Sequence, residues 1–344
     1  GDEVITTPWT MCATATSIIH WNAIPIFADI DPLTFNINPE SVEKKITTKT
    51  KAILAVDIFG QSCDVDALMK LGEKYDLKVM TDTAQSPGAY NSDRFAGTIS
   101  HIGGYSLNYH KHINTGEGGI VVTNDDILCE RVQLIRNHGE AVVEKKGVKN
   151  INNIIGHNFR LGEIECAIGI EQLKKLEILV KKRQNIANEL AFALKNFDGL
   201  NLPYVQKGNT HAYYVYGLTL DLEILGLKRS TIVKALNAEG LTGVCEGYQN
   251  LHLLPIFTQK RAYGSRNFPW DYESSRKDLI YGKGICPVAE RLQDKTFMII
   301  NLCNYQLDKK ELNLVCNAFQ KVWGNLKELR EYERKLLQDH ENLI

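Results

Sequence analysis

No uninterrupted apolar run in this sequence reaches the roughly 18 residues that a membrane-spanning helix needs. Neither sign of charge dominates either. Forty lysines and arginines stand against 41 aspartates and glutamates, a formal net charge of −1, so there is no strong field to gather nucleic acid or an anionic membrane. The eight cysteines are scattered and form no CxxC pair. That argues against a disulfide framework and predicts reduced thiols, mostly buried, in the cytoplasm. Internal repeats, low-complexity tracts and a secretory leader pattern are not found. A starting methionine is missing too. The opening "GDEVITTPWT" reads like the middle of a folded domain, and the expectation is that an N-terminal segment precedes it.

What is present is ordinary for a globular chain with a sizeable core: 344 residues, 44% hydrophobic and 24% charged, enough for two domains. The first half alternates short apolar runs with helical stretches. Strands are expected at 24–30, 51–59, 77–84 and 118–125, and helices at 39–46, 65–75 and 126–139. This alternation predicts an α/β domain with a mostly parallel sheet covered by helices, whose ligands sit beyond the carboxyl ends of the strands. The spacing at 163–196 predicts one long connecting helix. A strand is expected at 212–220. The heptad-like stripe Leu312, Val315, Phe319, Val322, Leu326 and Leu329 predicts a helix packed on the C-terminal part rather than a coiled coil, because Gly324 interrupts it. The boundaries read as residues 1–175 for a large domain, 163–196 for the connector and 197–344 for a smaller α+β domain.

Three segments carry chemistry. In "MTDTAQSPGA" (80–89), Asp82 and Gln85 stand at the end of an apolar strand. A carboxylate there can bind a protonated ring nitrogen, and the amide can reach another ring substituent; the same pattern is also a common helix cap or turn. In "SLNYHKHINTGEGGIVVTND" (106–125), Ser106 offers a hydroxyl to a phosphate, and Lys111 lies between His110 and His112. A lysine becomes a nucleophile when burial or neighbouring cations lower its pKa, although most lysines are simply solvated. The GEGG turn leads into a strand, so it is no dinucleotide fingerprint. No matching Cys/His/carboxylate pair accompanies the two histidines, so no metal site is expected. In "GHNFRLGEIECAIG" (156–169), Asn158 and Arg160 precede the long helical pattern.

Taken in order, GDEVI–TP–T–ATA, FADIDPxTFNI, DTAQSPGA, SxxxxKxxxxGEGGIVVTND, RNHG and NFRLGEIECAIG resemble the DegT/DnrJ/EryC1/StrS sugar aminotransferases. The resemblance runs from residue 1 to about 195 and more loosely through "GYQNLHLLPIF" and "CPVAERL". It implies the pyridoxal-phosphate (PLP) transferase fold type I, with a seven-stranded type of sheet sandwiched by helices and a smaller C-terminal domain. It implies that Lys111 forms a Schiff base with PLP and later moves a proton between cofactor and substrate. It implies that Asp82 keeps the pyridine nitrogen protonated, that Gln85 lies beside the phenolic oxygen, and that Ser106 binds the phosphate. Asn158 is implied to reach the phosphate of the neighbouring subunit, so a homodimer with a shared active site is expected. An upstream Gly-Ser/Thr turn that binds the phosphate has no counterpart in this sequence.

Two positions differ from the family pattern. Met11 of "TMCAT" stands where relatives carry an aromatic residue to stack on the cofactor, with Trp9 as an alternative stacker; methionine can still contact an aromatic face through sulfur. "LNYH" precedes the lysine in place of smaller residues, which makes Tyr109 and His110 candidates for shaping the substrate pocket. In the C-terminal part, Tyr248 is a further substrate candidate, alongside His211, Tyr213 and His252. The expected activity is transfer of an amino group, from glutamate, to the keto group of a nucleotide-linked deoxy sugar. A cyclitol acceptor, a sugar dehydratase and a non-catalytic regulatory protein are the alternatives. Lys111 weighs against dehydration, because dehydrating relatives carry histidine at this position; the set Lys111, Asp82 and Gln85 weighs against pure regulation.

Overall fold

Apolar runs that alternate with amphipathic helices build the first sheet. The computed structural model describes residues 1–140, 151–305 and 307–341. Strands β1 (Glu3–Thr6), β2 (Ile24–Phe27), β3 (Thr50–Val56) and β4 (Lys78–Asp82) precede a two-residue hairpin, β5 (Tyr90–Asn91) and β6 (Arg94–Phe95). Then come β7 (Ile102–Ser106) and β8 (Gly119–Val122). The large sheet runs β2-β1-β3-β4-β7-β8, with β8 alone antiparallel to its neighbour. Six strands are therefore present among the described residues, where a seven-stranded type was expected, and β8 forms an edge.

Three of the first four helices begin where short polar side chains satisfy their free N–H groups. The first, α1, spans Cys12–His20 and has no side-chain cap. Next, α2 (Pro39–Glu43) is capped by Asn38. The third, α3 (Val65–Tyr75), is capped by Asp64 and ends at Asp76 in the left-handed conformation, φ 52°. The fourth, α4 (Asp126–Arg136), is capped by Asp125. Each strand expected from the sequence is found, trimmed by one or more residues where the chain leaves the ladder.

The continuous helical pattern at 163–196 is two helices, α5 (Glu163–Leu173) and α6 (Leu176–Leu194), with a turn at Lys174 and Lys175. The break has a packing reason. No residue of α5 is buried, whereas α6 buries Leu176, Val180, Ile186, Ala187, Leu190 and Leu194. One straight helix could not serve both faces.

The C-terminal part holds an antiparallel sheet of β9 (Leu200–Asn201), β10 (Tyr216–Leu220), β11 (Val244–Glu246) and β12 (Phe297–Ile300), in the order β11-β12-β10-β9. Helices Arg229–Ala238 and Lys309–Gly324 pack on it. Leu312, Val315, Phe319 and Val322 enter that core, with Leu326 and Leu329 at its margin. The apolar stripe thus packs inward, and the helix breaks after Gly324 before resuming as Leu326–Glu341. Among the described residues no helix is long and apolar enough to cross a membrane. All eight cysteines are free, but only Cys63, Cys286 and Cys303 are buried and Cys245 is exposed. Most thiols are therefore not buried, contrary to expectation, because the helices bearing Cys12, Cys129, Cys166 and Cys316 are covered on one face only.

Phe297 ties the two sheets together. Its ring is fully buried, stacks on Phe59 at 5.4 Å, and meets the edges of Phe35 at 4.9 Å and Trp9 at 5.2 Å. Phe297→Ala is expected to lower stability by about 3–5 kcal/mol, read from urea midpoints; a loss below about 1 kcal/mol would deny the ring this role.

Candidate active site

The site forms at the carboxyl ends of the parallel strands. Asp82 is the last residue of β4. Its Oδ2 accepts a hydrogen bond from the Thr14 hydroxyl on α1 at 2.8 Å, and its Oδ1 accepts one from the Ala84 N–H at 3.1 Å. Thr10 and Thr14 share a hydroxyl contact of 3.1 Å, so Thr10 donates to Thr14 while Thr14 donates to the carboxylate. Two hydroxyls from the start of α1 thereby fix the carboxylate of a neighbouring strand.

Gln85 is buried and held at both ends. Its Oε1 accepts from the Phe59 N–H at 3.0 Å, and its Nε2 donates to the Tyr248 hydroxyl at 3.1 Å. Phe59 adopts a left-handed backbone, φ 59°, in the tight turn Ile58–Gly60; this strained geometry aims its N–H at Gln85. Tyr248→Phe is expected to lower kcat/KM about three- to tenfold by freeing one end of the Gln85 amide. An unchanged value would show that the bond is dispensable.

Behind Asp82 lies a second, fully buried carboxylate. Asp57 accepts from the Cys63 N–H at 2.8 Å and the Thr83 hydroxyl at 2.7 Å. Burial pushes its pKa up to about 6, against the pull of those hydrogen bonds.

Lys111 lies in the loop that returns β7 to β8. That loop is fastened by Leu107 N–H to the Gly118 carbonyl at 2.9 Å and Thr115 N–H to the Leu107 carbonyl at 3.0 Å. Gly118 sits at φ +151°, where a Cβ would meet Leu161 and Thr115 at 3.0 Å. Burial pulls the Lys111 pKa down, opposed by the charge of Asp82. The ammonium nitrogen lies 4.6 Å from the centre of the Tyr214 ring. Ser106 ends β7, and its Oγ accepts from the Asn108 N–H at 3.2 Å, leaving its own proton to donate.

The structure thus brings Asp82, Gln85, Ser106, Lys111 and Tyr248 to one edge of the sheet. Met11 is 63% exposed at the start of α1, whereas Trp9 is fully buried against Tyr248 and Phe297 and so is not free to stack on a ligand. Tyr109 is 71% exposed and His110 is exposed beside it, the rings meeting edge-on at 5.0 Å. Burial and the Lys111 charge lower the His110 pKa. Asn158 is exposed. His211 is buried, and its Nδ1 accepts from Tyr213 N–H at 2.9 Å. His252 is buried against Glu290 at 2.9 Å; both histidines belong to the packing. Sequence reasoning missed Thr14, Asp57, Phe59 and Tyr214. Only Thr14 had a signal, its place in the "TMCAT" segment. Among the described residues no group of three or more His, Cys, Asp or Glu is placed to hold a metal.

A carboxylate locked at a central strand end, a half-buried amine of lowered pKa and a strand-end hydroxyl fit, in turn, a protonated ring nitrogen, an aldehyde and a phosphate. With the sheet they define a PLP-dependent transferase of fold type I. The chain belongs to the DegT/DnrJ/EryC1/StrS aminotransferase family, whose profile matches residues 1–279, and is a transaminase that uses PLP. It is 32% identical to the spore coat polysaccharide biosynthesis protein SpsC of Bacillus subtilis over 275 residues, 78% of this chain and 71% of that one. It is 31% identical to a GDP-perosamine synthase of Caulobacter vibrioides, over 75% of this chain and 68% of that protein. The crystal structure of an aminotransferase from Psychrobacter cryohalolentis superposes with a TM-score of 0.82 at 29% identity, covering 95% of this chain and 82% of that one.

Proposed function

We propose that this transaminase moves an amino group from glutamate to the keto group of a nucleotide-linked deoxy sugar, with Lys111 as the Schiff-base lysine. The observation that carries this reading is the half-buried Lys111 amine, its pKa lowered by burial, set on the same sheet edge as Asp82 and Gln85. When bound, PLP supplies the electron sink that makes the substrate carbon acidic.

The protein's own groups do the rest. Lys111 in its neutral form would hold the cofactor through its carbonyl carbon, with loss of water, and once freed would carry a proton to or from the substrate carbon. Asp82, pinned by Thr14 and Ala84, keeps a ring nitrogen protonated. Gln85 places an amide beside the ring, and Ser106 donates to the phosphate. Tyr109, His110 and Tyr248 would line the sugar's approach, and Met11 would contact the ring through its sulfur. Asn158 serves the partner subunit's phosphate in a homodimer. The apolar residues that α5 leaves exposed, Ile164 at 74%, Ile170 at 60% and Leu173 at 61%, support such an interface. A nucleotide-sugar acceptor is supported by the GDP-perosamine synthase relative. The cytoplasm, where nucleotide sugars and glutamate meet, is the proposed compartment.

The test is the visible spectrum of the full-length protein with PLP. The expected result is an absorption band that bleaches on adding glutamate and is absent in Lys111→Ala. A band that glutamate leaves unchanged would remove glutamate as the donor. No band at all would remove Lys111 as the attachment point.

A further inference from the structure

Lys111 touches something that the family reading does not use. Its ammonium lies 4.6 Å from the centre of the Tyr214 ring, and among the described residues its Nζ makes no hydrogen bond or salt bridge. A cation over an aromatic face is stabilised by the ring's quadrupole, the more so when shielded from water.

The backbone that carries the ring is fastened from three sides. The segment 211–214 crosses the turn Ile58–Gly60, with Ala212 N–H donating to the Gly60 carbonyl at 2.7 Å and Tyr214 N–H to the Phe59 carbonyl at 2.8 Å. Gly60 stands at φ +123°, and a Cβ there would lie 2.5 Å from the Tyr213 nitrogen. From α6, Arg183 donates to the Tyr213 carbonyl at 3.1 Å and Gln184 to the His211 carbonyl at 3.1 Å. From the Lys111 loop itself, His112 Nε2 meets the Ala212 carbonyl at 2.8 Å. The Tyr214 ring is thus a fixed surface, joined both to the loop that carries Lys111 and to the turn that anchors Gln85.

The surrounding charges leave the ring as the cation's resting place. His110 and His112 flank Tyr214 at 6.2 and 6.1 Å. Burial lowers both imidazole pKa values, that of His112 to about 3, so neither is a competing cation at neutral pH. Tyr248 and Tyr109 also face Tyr214, and Glu117 faces His110. Asp82 acts on Lys111 from β4, and Arg183 acts on Tyr214 and His112 from α6. Burial pushes the Tyr214 hydroxyl up to about 12, so that group stays protonated and does not take the lysine's proton.

We propose that Tyr214 is a positioning residue for Lys111, its ring face carrying the ammonium form whenever the lysine is free of the cofactor. The role rests on the reading of Lys111 given above and deepens it. An amine that cycles between bonded and free states needs a place to stand while protonated. A carboxylate there would draw the ammonium into a salt bridge, whereas a π face steadies the charge and leaves the N–H bonds free to deliver a proton.

The test is a titration of the amine itself. Lysines of the full-length protein, before PLP is added, are reductively methylated with isotope-labelled formaldehyde and followed by NMR. The Lys111 signal is assigned by its loss in Lys111→Arg. Tyr214→Phe is expected to titrate like the wild type. Tyr214→Leu is expected to titrate at lower pH, by about a two- to tenfold change in the protonation equilibrium; Tyr214→Met serves if the leucine variant does not fold. A leucine or methionine midpoint at or above the wild-type value overturns the proposal, as does a phenylalanine variant that shifts as far as the aliphatic ones. On a separate, unmethylated sample, PLP addition followed by borohydride reduction and peptide mass analysis reports on attachment to Lys111. Failure there would sink the attachment reading and leave the ring–amine titration to be judged by its own result.

Discussion

Lys111→Ala is expected to lower kcat/KM for transamination by more than about a thousandfold. Among the described residues no other lysine lies over the Tyr214 ring. Arg183, the other base that acts on this region from α6, is spent on the Tyr213 carbonyl and remains cationic at neutral pH. The variant should still fold, because the Lys111 loop is fastened by backbone bonds between Leu107, Thr115 and Gly118 rather than by the lysine side chain. The defect should therefore appear in the chemistry and not in the urea midpoint. Lys111→Arg sharpens the test: it keeps the charge over Tyr214 but stays protonated and cannot attack a carbonyl. It should be as inactive as the alanine variant. An arginine variant with more than about a tenth of the activity would overturn the nucleophilic role.

Much of the site was legible because its chemistry is local in the chain. Asp82 and Gln85 lie within four residues at the end of one strand, and Lys111 lies in the loop that leaves the strand ended by Ser106. A strand followed by a tight turn fixes where both pairs point, and the sheet needs only parallel order to bring the pairs together. What stayed hidden was held by distant chain segments. Tyr214 reaches Lys111 across 103 positions, through backbone bonds to Phe59 and Gly60 that no pattern announces. Thr14 finds Asp82 across 68 residues. The same limit explains the helix at 163–196. Its periodicity was visible, but the turn at Lys174 and Lys175 follows from which face meets a core, and that face is set by the fold. The cysteines were misjudged in the same way: a thiol's burial depends on which side of its helix is covered.

Asp82→Asn should be nearly as damaging as loss of the lysine, for an electrostatic reason. The side chain keeps its size, and an amide oxygen can still accept from Ala84 N–H as Oδ1 does now at 3.1 Å. At the other position an NH₂ group replaces Oδ2 and faces the Thr14 hydroxyl, which now donates at 2.8 Å. Thr14 must turn its proton toward Thr10, 3.1 Å away, so the local packing has a way to adjust. What cannot be restored is the negative charge. On the proposed assignment of Asp82 to the ring nitrogen, a neutral amide would no longer favour a proton there, and loss of the substrate proton would slow. The expected fall in kcat is about a hundred- to a thousandfold, the scale seen when one preorganised electrostatic partner is removed. It should come with a slower loss of the substrate α-hydrogen, read as deuterium exchange from solvent into glutamate. Stability should change by no more than about 1–2 kcal/mol, the cost of rearranging one hydrogen bond. Asp82→Glu offers the contrast: charge is kept, but the longer side chain cannot hold both Thr14 and Ala84, so activity should return only in part. An asparagine variant that exchanges the α-hydrogen at the wild-type rate would show that the carboxylate only anchors the Thr14 hydroxyl and that the ring nitrogen is governed elsewhere.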